Sequence, residues 1–157
     1  MKNIIRFFCF FLTVSSFSQQ TTVVDFLDLR ATLTLVPDST LVKGSASYSF
    51  KILKPVDSIF IDAKSISVCK SLTDLSNDGI SFSNHGSKIW IKKKFKKDST
   101  YIFNLQYEAQ PKKALYFLKR KNQWNIWTQG QGKYTSNWLP SFDDVNEKMI
   151  FDLTFVF

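Results

Sequence analysis

Apolar and polar residues alternate along several stretches of this chain, and this period of two constrains its fold more than any other feature. One early stretch carries apolar side chains at every second position: Leu27, Leu29, Ala31, Leu33 and Leu35. The positions between them carry Asp, Arg and Thr. Successive side chains of a strand point to opposite faces of a sheet, so this pattern predicts a strand with one buried face.

The alternation recurs further along the chain. Apolar residues occupy every second position within 46–52, 101–107 and 149–157, and shorter apolar segments lie at 59–61, 66–68, 80–82 and 89–91. Asn-Asp-Gly and Asn-His-Gly turn sequences separate some of these segments, and no helical stripe runs for three turns. We therefore predict an all-β domain of antiparallel strands, either a sandwich or a saddle-shaped pair of sheets.

The length and the charge of the chain are those of a single basic domain. Its 157 residues are enough for one hydrophobic core, and its formal net charge is +8. One lysine cluster lies within 92–97 and is followed directly by Asp98. We interpret this cluster as the solvated end of a hairpin strand, where lysines discourage edge pairing. No nucleic-acid-binding motif accompanies the charge, and we expect no nucleic-acid partner.

The N-terminus is organised like a signal peptide. A charged start and a short apolar run within 7–14 precede a Ser-Phe-Ser site of the kind that signal peptidases cleave. The run is too short for a stable membrane span. We predict a signal peptide at 1–18, a mature domain over 19–157, and export to the periplasm or outside the cell. Cys69 is then the one remaining cysteine, which excludes an internal disulfide.

A search for catalytic groups finds none. His85 is the sole histidine, and its Asn-His-Gly context is typical of a turn. The sequence contains no His-Glu-x-x-His zinc motif and no nucleophile-elbow serine. Asp143 and Asp144 have no partner ligands nearby in sequence, and we interpret them as solvated turn acids. We expect neither a catalytic residue nor a metal site in this chain.

The remaining chemical feature is the segment Gln129-Gly130-Gln131-Gly132. In an extended segment, the side chains of Gln129 and Gln131 project from the same face. The two glycines allow another backbone to approach closely, and the side-chain oxygen of Gln131 can accept a hydrogen bond from a substrate ammonium. From the residues alone, both a peptide clamp and a turn without function remain open.

Much of the chain resembles the N-terminal β domain of the aminopeptidase N family of zinc aminopeptidases, which includes the leukotriene hydrolase branch. The segments that carry the resemblance are 28–38, 44–46, 127–132, 138–143 and 148–154. They are similar to the family's opening strands, its Gln-x-Gln substrate segment, its Pro-x-x-Asp turn and its Lys-x-x-Phe-x-Leu-Thr strand. Two departures are Ser141 where a Cys is frequent and Gln131 where a Glu is commoner.

The resemblance implies a role for each residue of the Gln-Gly-Gln-Gly segment. Gln131 is expected to bind the free α-amino group of a peptide, and Gln129 to line the first specificity pocket. Gly132 is expected to contact the substrate backbone. The expected substrate-binding residues are therefore Gln129, Gly130, Gln131 and Gly132.

The resemblance also implies what this chain lacks. The family's His-Glu-x-x-His helix, its distal zinc ligand and its transition-state tyrosine would all fall beyond residue 157, so we expect zinc only in the complete enzyme. We expect a substrate-anchoring domain of an exported zinc aminopeptidase, incomplete at its C-terminal end and inactive alone. Its expected partners are a peptide N-terminus and a catalytic domain in cis. The alternatives are a free-standing secreted β-sandwich that binds without catalysis, and a structural remnant without activity.

Overall fold

The computed structural model describes residues 20–157, so the signal peptide predicted at 1–18 lies outside the described residues. The described chain forms ten strands and three short 3₁₀ helices. The strands are β1 (Val24–Val36), β2 (Leu41–Ile52), β3 (Val56–Asp62), β4 (Ile66–Thr73), β5 (Phe82–His85), β6 (Lys88–Phe95), β7 (Thr100–Ala109), β8 (Leu115–Arg120), β9 (Gln123–Thr128) and β10 (Ile150–Val156). The 3₁₀ helices are Gln20–Thr22, Pro37–Ser39 and Thr135–Asn137.

The strands form three sheets. The largest has five strands in the order β10-β1-β2-β7-β4, the second has the order β3-β6-β5, and β8 pairs with β9 alone. The 3₁₀ helix Pro37–Ser39 turns the chain between β1 and β2, with Thr40 in the left-handed region at φ 50°. This architecture confirms the predicted all-β fold.

One hydrophobic core lies between the five-stranded and three-stranded sheets. Alternate residues of β1, β2, β3, β6 and β7 enter it, as the sequence pattern predicts: Leu29, Leu33, Phe50 and Phe103 from the larger sheet, and Ile59, Ile61, Ile89 and Ile91 from the smaller one, are each fully buried. The edge strand β10 is the exception, since Phe151 and Phe155 of its apolar alternation are exposed. The rings of Phe50 and Phe95 meet edge to face across the two sheets, with centroids 6.0 Å apart. Aromatic contacts of this kind add to the hydrophobic stabilisation from burial.

Two features of β1 differ from the sequence prediction. Its pairing with β10 is parallel, with Leu29 opposite Phe151 and Leu33 opposite Phe155, whereas its pairing with β2 is antiparallel. Its register also shifts between Phe26 and Asp28. This bulge turns Leu27 outward, leaving it 38% exposed although its position in the alternation predicts burial.

Two local predictions are changed by the sheet topology. The lysine cluster within 92–97 does not lie in a β6–β7 hairpin, because β6 and β7 belong to different sheets, and it does not protect a sheet edge, because β6 is the central strand of its sheet. The β8–β9 hairpin was not predicted, since aromatic or apolar side chains occupy both of its faces and hide the period of two. Within residues 20–157, none of the helices has the length and apolar character needed to cross a bilayer.

Candidate functional site

The Gln-Gly-Gln-Gly segment begins where β9 ends. The carbonyl oxygen of Ala114, just before β8, accepts hydrogen bonds from the Gln129 amide at 2.8 Å and from the Thr128 hydroxyl at 2.6 Å. Ala114 is buried and has φ 68°, a left-handed conformation that is uncommon for a residue other than glycine. These bonds fix the start of the segment against the chain entering β8.

The segment does not continue as an extended strand, which corrects the geometry considered from the sequence. β9 ends at Thr128, and residues 131–134 form a turn that leads into the 3₁₀ helix Thr135–Asn137. The turn nevertheless brings Gln129 and Gln131 to the same cavity, which has a volume of about 330 Å³. Its lining residues are Lys113, Ala114, Tyr116, Gln129, Gln131 and Tyr134.

The local structure explains why both positions 130 and 132 are glycine. A Cβ at Gly130 would lie 2.9 Å from the Thr135 hydroxyl oxygen, a separation that real Cβ atoms do not show. Gly132 has φ +79°, which strains any residue with a side chain. They shape the turn that carries Gln131, and the expected contacts of Gly130 and Gly132 with a substrate stay predictions.

An aromatic wall adjoins the cavity. Tyr116, which lines it, stacks on Trp127 from the neighbouring strand, with ring centroids 4.3 Å apart and planes inclined by 25°. The two residues are directly opposite in the β8–β9 register. Cross-strand aromatic pairs stabilise a hairpin that would otherwise be marginal in water. The pair therefore stiffens the wall that the hairpin presents to the cavity.

Two buried tyrosines hold the segment that follows the turn. Tyr48 of β2 donates a hydrogen bond to the Pro140 carbonyl oxygen at 2.6 Å, and Tyr107 of β7 donates one to the Trp138 carbonyl oxygen at 3.0 Å. Burial raises the pKa of both phenols well above their usual value, so both remain donors. The five-stranded sheet thus fixes the position of residues 138–140.

Asp143 is the second anchor of this region, which corrects its interpretation as a solvated turn acid. Its side chain is only 5% exposed and pairs with the Lys64 ammonium at 3.0 Å. It also accepts hydrogen bonds from the hydroxyls of Ser136 at 2.5 Å and Ser141 at 3.1 Å. Lys64 in turn donates to the carbonyl oxygen of Lys133. This network ties the turn carrying Gln131 to the end of β3.

The described residues do not offer a zinc site. No group of three or more His, Cys, Asp and Glu side chains within 20–157 is arranged to hold a metal ion. His85 is exposed at the end of β5, next to the turn into β6. Cys69 is half-buried beside the core, and burial raises the pKa of its thiol to about 11. Zinc does not fit these residues, so no catalytic step through a metal follows from them.

A sequence model of the peptidase M1 N-terminal domain matches residues 24–157. This chain belongs to the peptidase M1 N-terminal domain family. The match confirms the family resemblance inferred from the Gln-Gly-Gln-Gly segment and its flanking strands. None of the curated proteins compared with the chain matches it.

Solved structures of M1 peptidases share the fold. The M1 zinc metallopeptidase from Deinococcus radiodurans superposes with a TM-score of 0.71 at 13% identity, over 83% of this chain and 32% of that one. A mutant of the same enzyme bound to a Tyr-Ser-Ala substrate gives a TM-score of 0.68 at 13% identity, with the same coverage. Yeast LTA4 hydrolase in complex with bestatin gives 0.74 at 18% identity, over 91% of this chain and 25% of that one. This M1 domain therefore spans a third or less of the length of these enzymes.

Sequence reasoning found the two glutamines of the M1 domain's cavity but missed the other residues that line it. Lys113, Tyr116 and Tyr134 approach the glutamines because β8 pairs with β9 and because the turn after Gly132 reverses the chain. Ala114 carries no chemical signal in sequence, yet its carbonyl oxygen positions Gln129. Recognising the β8–β9 hairpin from its aromatic pairs would have placed Lys113 and Tyr116 beside the glutamines.

Proposed function

We propose that this domain anchors the N-terminal end of a peptide substrate in an exported zinc-dependent aminopeptidase. The observation that carries the proposal is the meeting of Gln129 and Gln131 in one cavity, in a chain of the peptidase M1 N-terminal domain family. The Gln131 side-chain oxygen accepts a hydrogen bond from the substrate ammonium. Gln129 lines the pocket for the side chain of the first residue, and Gly130 and Gly132 pass beside the substrate backbone.

The rigidity of the site supports this role. Gln129 is held through its backbone by Ala114, and Lys64 and Asp143 hold the turn that follows Gln131. Because the backbone on both sides of Gln131 is already fixed, binding the ammonium has to order only the exposed Gln131 side chain. The domain thereby contributes orientation: it fixes the amino end of the peptide relative to the bond that is cut.

The peptide-cleaving chemistry belongs to a catalytic domain outside residues 20–157, joined to this one in the same chain. The D. radiodurans and yeast enzymes are three to four times as long as the part that this domain matches, as their coverage of 32% and 25% indicates. We further propose that residues 1–18 direct export and are removed after Ser18. The protein would then act in the periplasm or outside the cell.

The test of the anchoring role is the Gln131→Ala variant of the full-length protein. A hydrogen bond to a charged donor contributes roughly 1.5–3 kcal/mol, so kcat/KM for peptides with a free amino end should fall by about ten- to a hundredfold. N-acetylated peptides should be poor substrates of both forms. Gln129→Ala should instead change the preference among first residues. Gln123→Ala is the matched control, because Gln123 is exposed at the far end of the hairpin.

The kinetics of the full-length protein decide between a substrate-anchoring role and the alternatives for this domain. Unchanged kcat/KM in Gln131→Ala would mean that the segment is only a turn, and the anchoring role would be abandoned. A full-length protein that binds peptides and cleaves none would instead support a free-standing binding module.

A further inference from the structure

We propose that Lys113 makes this cavity selective for peptides whose first residue is Asp or Glu. The inference rests on the proposed anchoring function and adds the class of substrate. It follows from the charges that line the cavity, from the position of Lys113 and from the lack of a carboxylate partner for it.

The cavity's lining carries a single ionised group. Lys113 is a cation, whereas Gln129, Gln131 and the phenols of Tyr116 and Tyr134 are uncharged donors and acceptors. No Asp or Glu is among the lining residues. A peptide ammonium bound by Gln131 therefore brings a second positive charge into a cavity that holds no negative one.

The backbone of Lys113 is held beside the substrate segment by its neighbour in the chain, and its side chain is exposed. Ala114 adopts the left-handed conformation, and its carbonyl oxygen accepts the hydrogen bonds of Gln129 and Thr128. A non-glycine residue in this conformation costs free energy and persists only where its surroundings enforce it. The backbone at 113–114 is thereby fixed against the first residue of the substrate segment.

The charge of Lys113 is available to a ligand. Two ammonium groups lie near the Tyr134 ring, with Lys64 at 5.8 Å and Lys113 at 5.6 Å from its ring centroid. Lys64 is neutralised by Asp143 at 3.0 Å. Among residues 20–157, by contrast, no carboxylate pairs with Lys113. The cavity therefore offers one cation that its own fold leaves without a counterion.

An acidic first residue supplies that counterion. Its α-ammonium binds Gln131 while its side-chain carboxylate approaches Lys113, so the two positive charges in the cavity are offset by one negative charge. A neutral first residue leaves both positive charges uncompensated, and a Lys or Arg first residue adds a third. The expected order of kcat/KM is acidic, then neutral, then basic.

The experiment compares matched substrates of the full-length protein: aminoacyl-coumarin amides with Glu, Gln, Leu or Lys as the amino acid. Glu and Gln are nearly isosteric, so their ratio of kcat/KM isolates the effect of charge. We expect a Glu-to-Gln ratio of about two to five, the size of effect typical of an exposed ion pair. The ratio should fall as salt is raised, because exposed charge pairs are screened.

Two variants assign the preference to Lys113. Lys113→Met keeps the length of the side chain without its charge and should bring the Glu-to-Gln ratio to about one. Lys113→Glu should reverse the order and favour the Lys substrate over Glu. Lys112→Met is the control, since Lys112 is exposed and does not line the cavity, and it should keep the wild-type ratio.

The experiment distinguishes failure of the proposed anchoring function from failure of the role proposed for Lys113. A full-length protein that cleaves none of the four substrates would overturn the anchoring function together with this inference. Cleavage that depends on Gln131 but shows the same Glu-to-Gln ratio in wild type and Lys113→Met would overturn the role of Lys113 alone.

Discussion

The phenol ring of Tyr107 occupies the space that a side chain at Gly44 would need. A Cβ at position 44 would lie 2.2 Å from ring carbons Cε1 and Cζ of Tyr107 and 2.5 Å from its hydroxyl oxygen. The two residues are directly opposite on β2 and β7. Tyr107 is 1% exposed, and its hydroxyl is bonded to the Trp138 carbonyl oxygen. Gly44 thus allows Tyr107 to reach residues 138–140, which follow the turn that carries Gln131.

Gly44→Ala should destabilise the domain by about 2–3 kcal/mol, since an overpacked buried ring has no free space into which to move. Urea unfolding of residues 20–157 measures the change. Gly79→Ala is the matched control, because a Cβ there meets nothing within 4 Å, and its effect should stay within about 0.5 kcal/mol. Equal midpoints for the two variants would contradict the packing described for Tyr107.

Asp143→Asn should cost about 2 kcal/mol of stability. The Asn side chain would turn an amide donor toward the Lys64 ammonium and the Ser136 hydroxyl, both of which now donate to the carboxylate. Asp144→Asn should have little effect, because the hydrogen bond that its side chain accepts from the Asn146 amide still finds an amide oxygen. Urea unfolding compares the two variants, and similar losses in both would show that Asp143 does not anchor the turn.

The stability of the domain should depend on pH through Asp62. Burial raises the pKa of this carboxyl above its usual value of 3.8, and the nearby Asp143 charge raises it further, against a hydrogen bond from the Asp143 amide. The folded state then binds more protons than the unfolded state between the two pKa values. The free energy of unfolding therefore falls as pH rises through that window, which begins near pH 3.8.

Asp62→Asn removes this titration while keeping an oxygen that accepts the Asp143 amide. The free energy of unfolding of Asp62→Asn, minus that of wild type, should increase as pH is raised from about 4 to about 7. Urea midpoints across that range give the comparison. Asp57→Asn, at an exposed position of the same strand, is the matched control. If the difference in urea midpoint between Asp62→Asn and wild type did not change with pH, the raised pKa of Asp62 would be refuted.

Cys69 should react slowly with thiol reagents in the folded domain. Burial raises the pKa of its thiol from 9.0 to about 11, which lowers the fraction of reactive thiolate by about a hundredfold. In a protein of residues 20–157 this is the one cysteine, so the rate of iodoacetamide labelling at pH 8 reports it alone. Labelling in urea should restore the ordinary rate. Equal rates in the folded and unfolded protein would contradict the burial of the thiol.

The sequence predicts β1, β2 and β7 of the large sheet, because one face of each of these strands is buried and the other is more exposed. It does not predict the bulge in β1, since the group that satisfies the Phe26 amide is Glu147, far along the chain, at 2.9 Å. It does not predict the direction of β10 either, because parallel and antiparallel edge strands share the same alternation. The β8–β9 hairpin was missed because Tyr116, Phe117, Ile126 and Trp127 make both of its faces apolar.

The candidate site was predictable to the extent that it lies in one contiguous segment. Gln129 and Gln131 were identified from their spacing and from the family resemblance, and the fold brings both to one cavity. Lys113 and Tyr116 were not identified, because strand pairing rather than sequence proximity brings them there. The burial of Asp143 depends on Lys64, a residue at the end of another strand, which no local pattern reveals.

The parallel pairing of β1 with β10 has a consequence for the order in which the chain folds during synthesis. β1 and β2 form a hairpin through a short 3₁₀ helix and can pair soon after leaving the ribosome. The opposite edge of β1 remains open until residues 150–156 emerge, more than a hundred residues later. Until then it presents unpaired backbone groups to other nascent chains. The sheet is therefore completed only when nearly all of this domain has been translated, and a pause before β10 would lengthen the period in which the domain needs a chaperone.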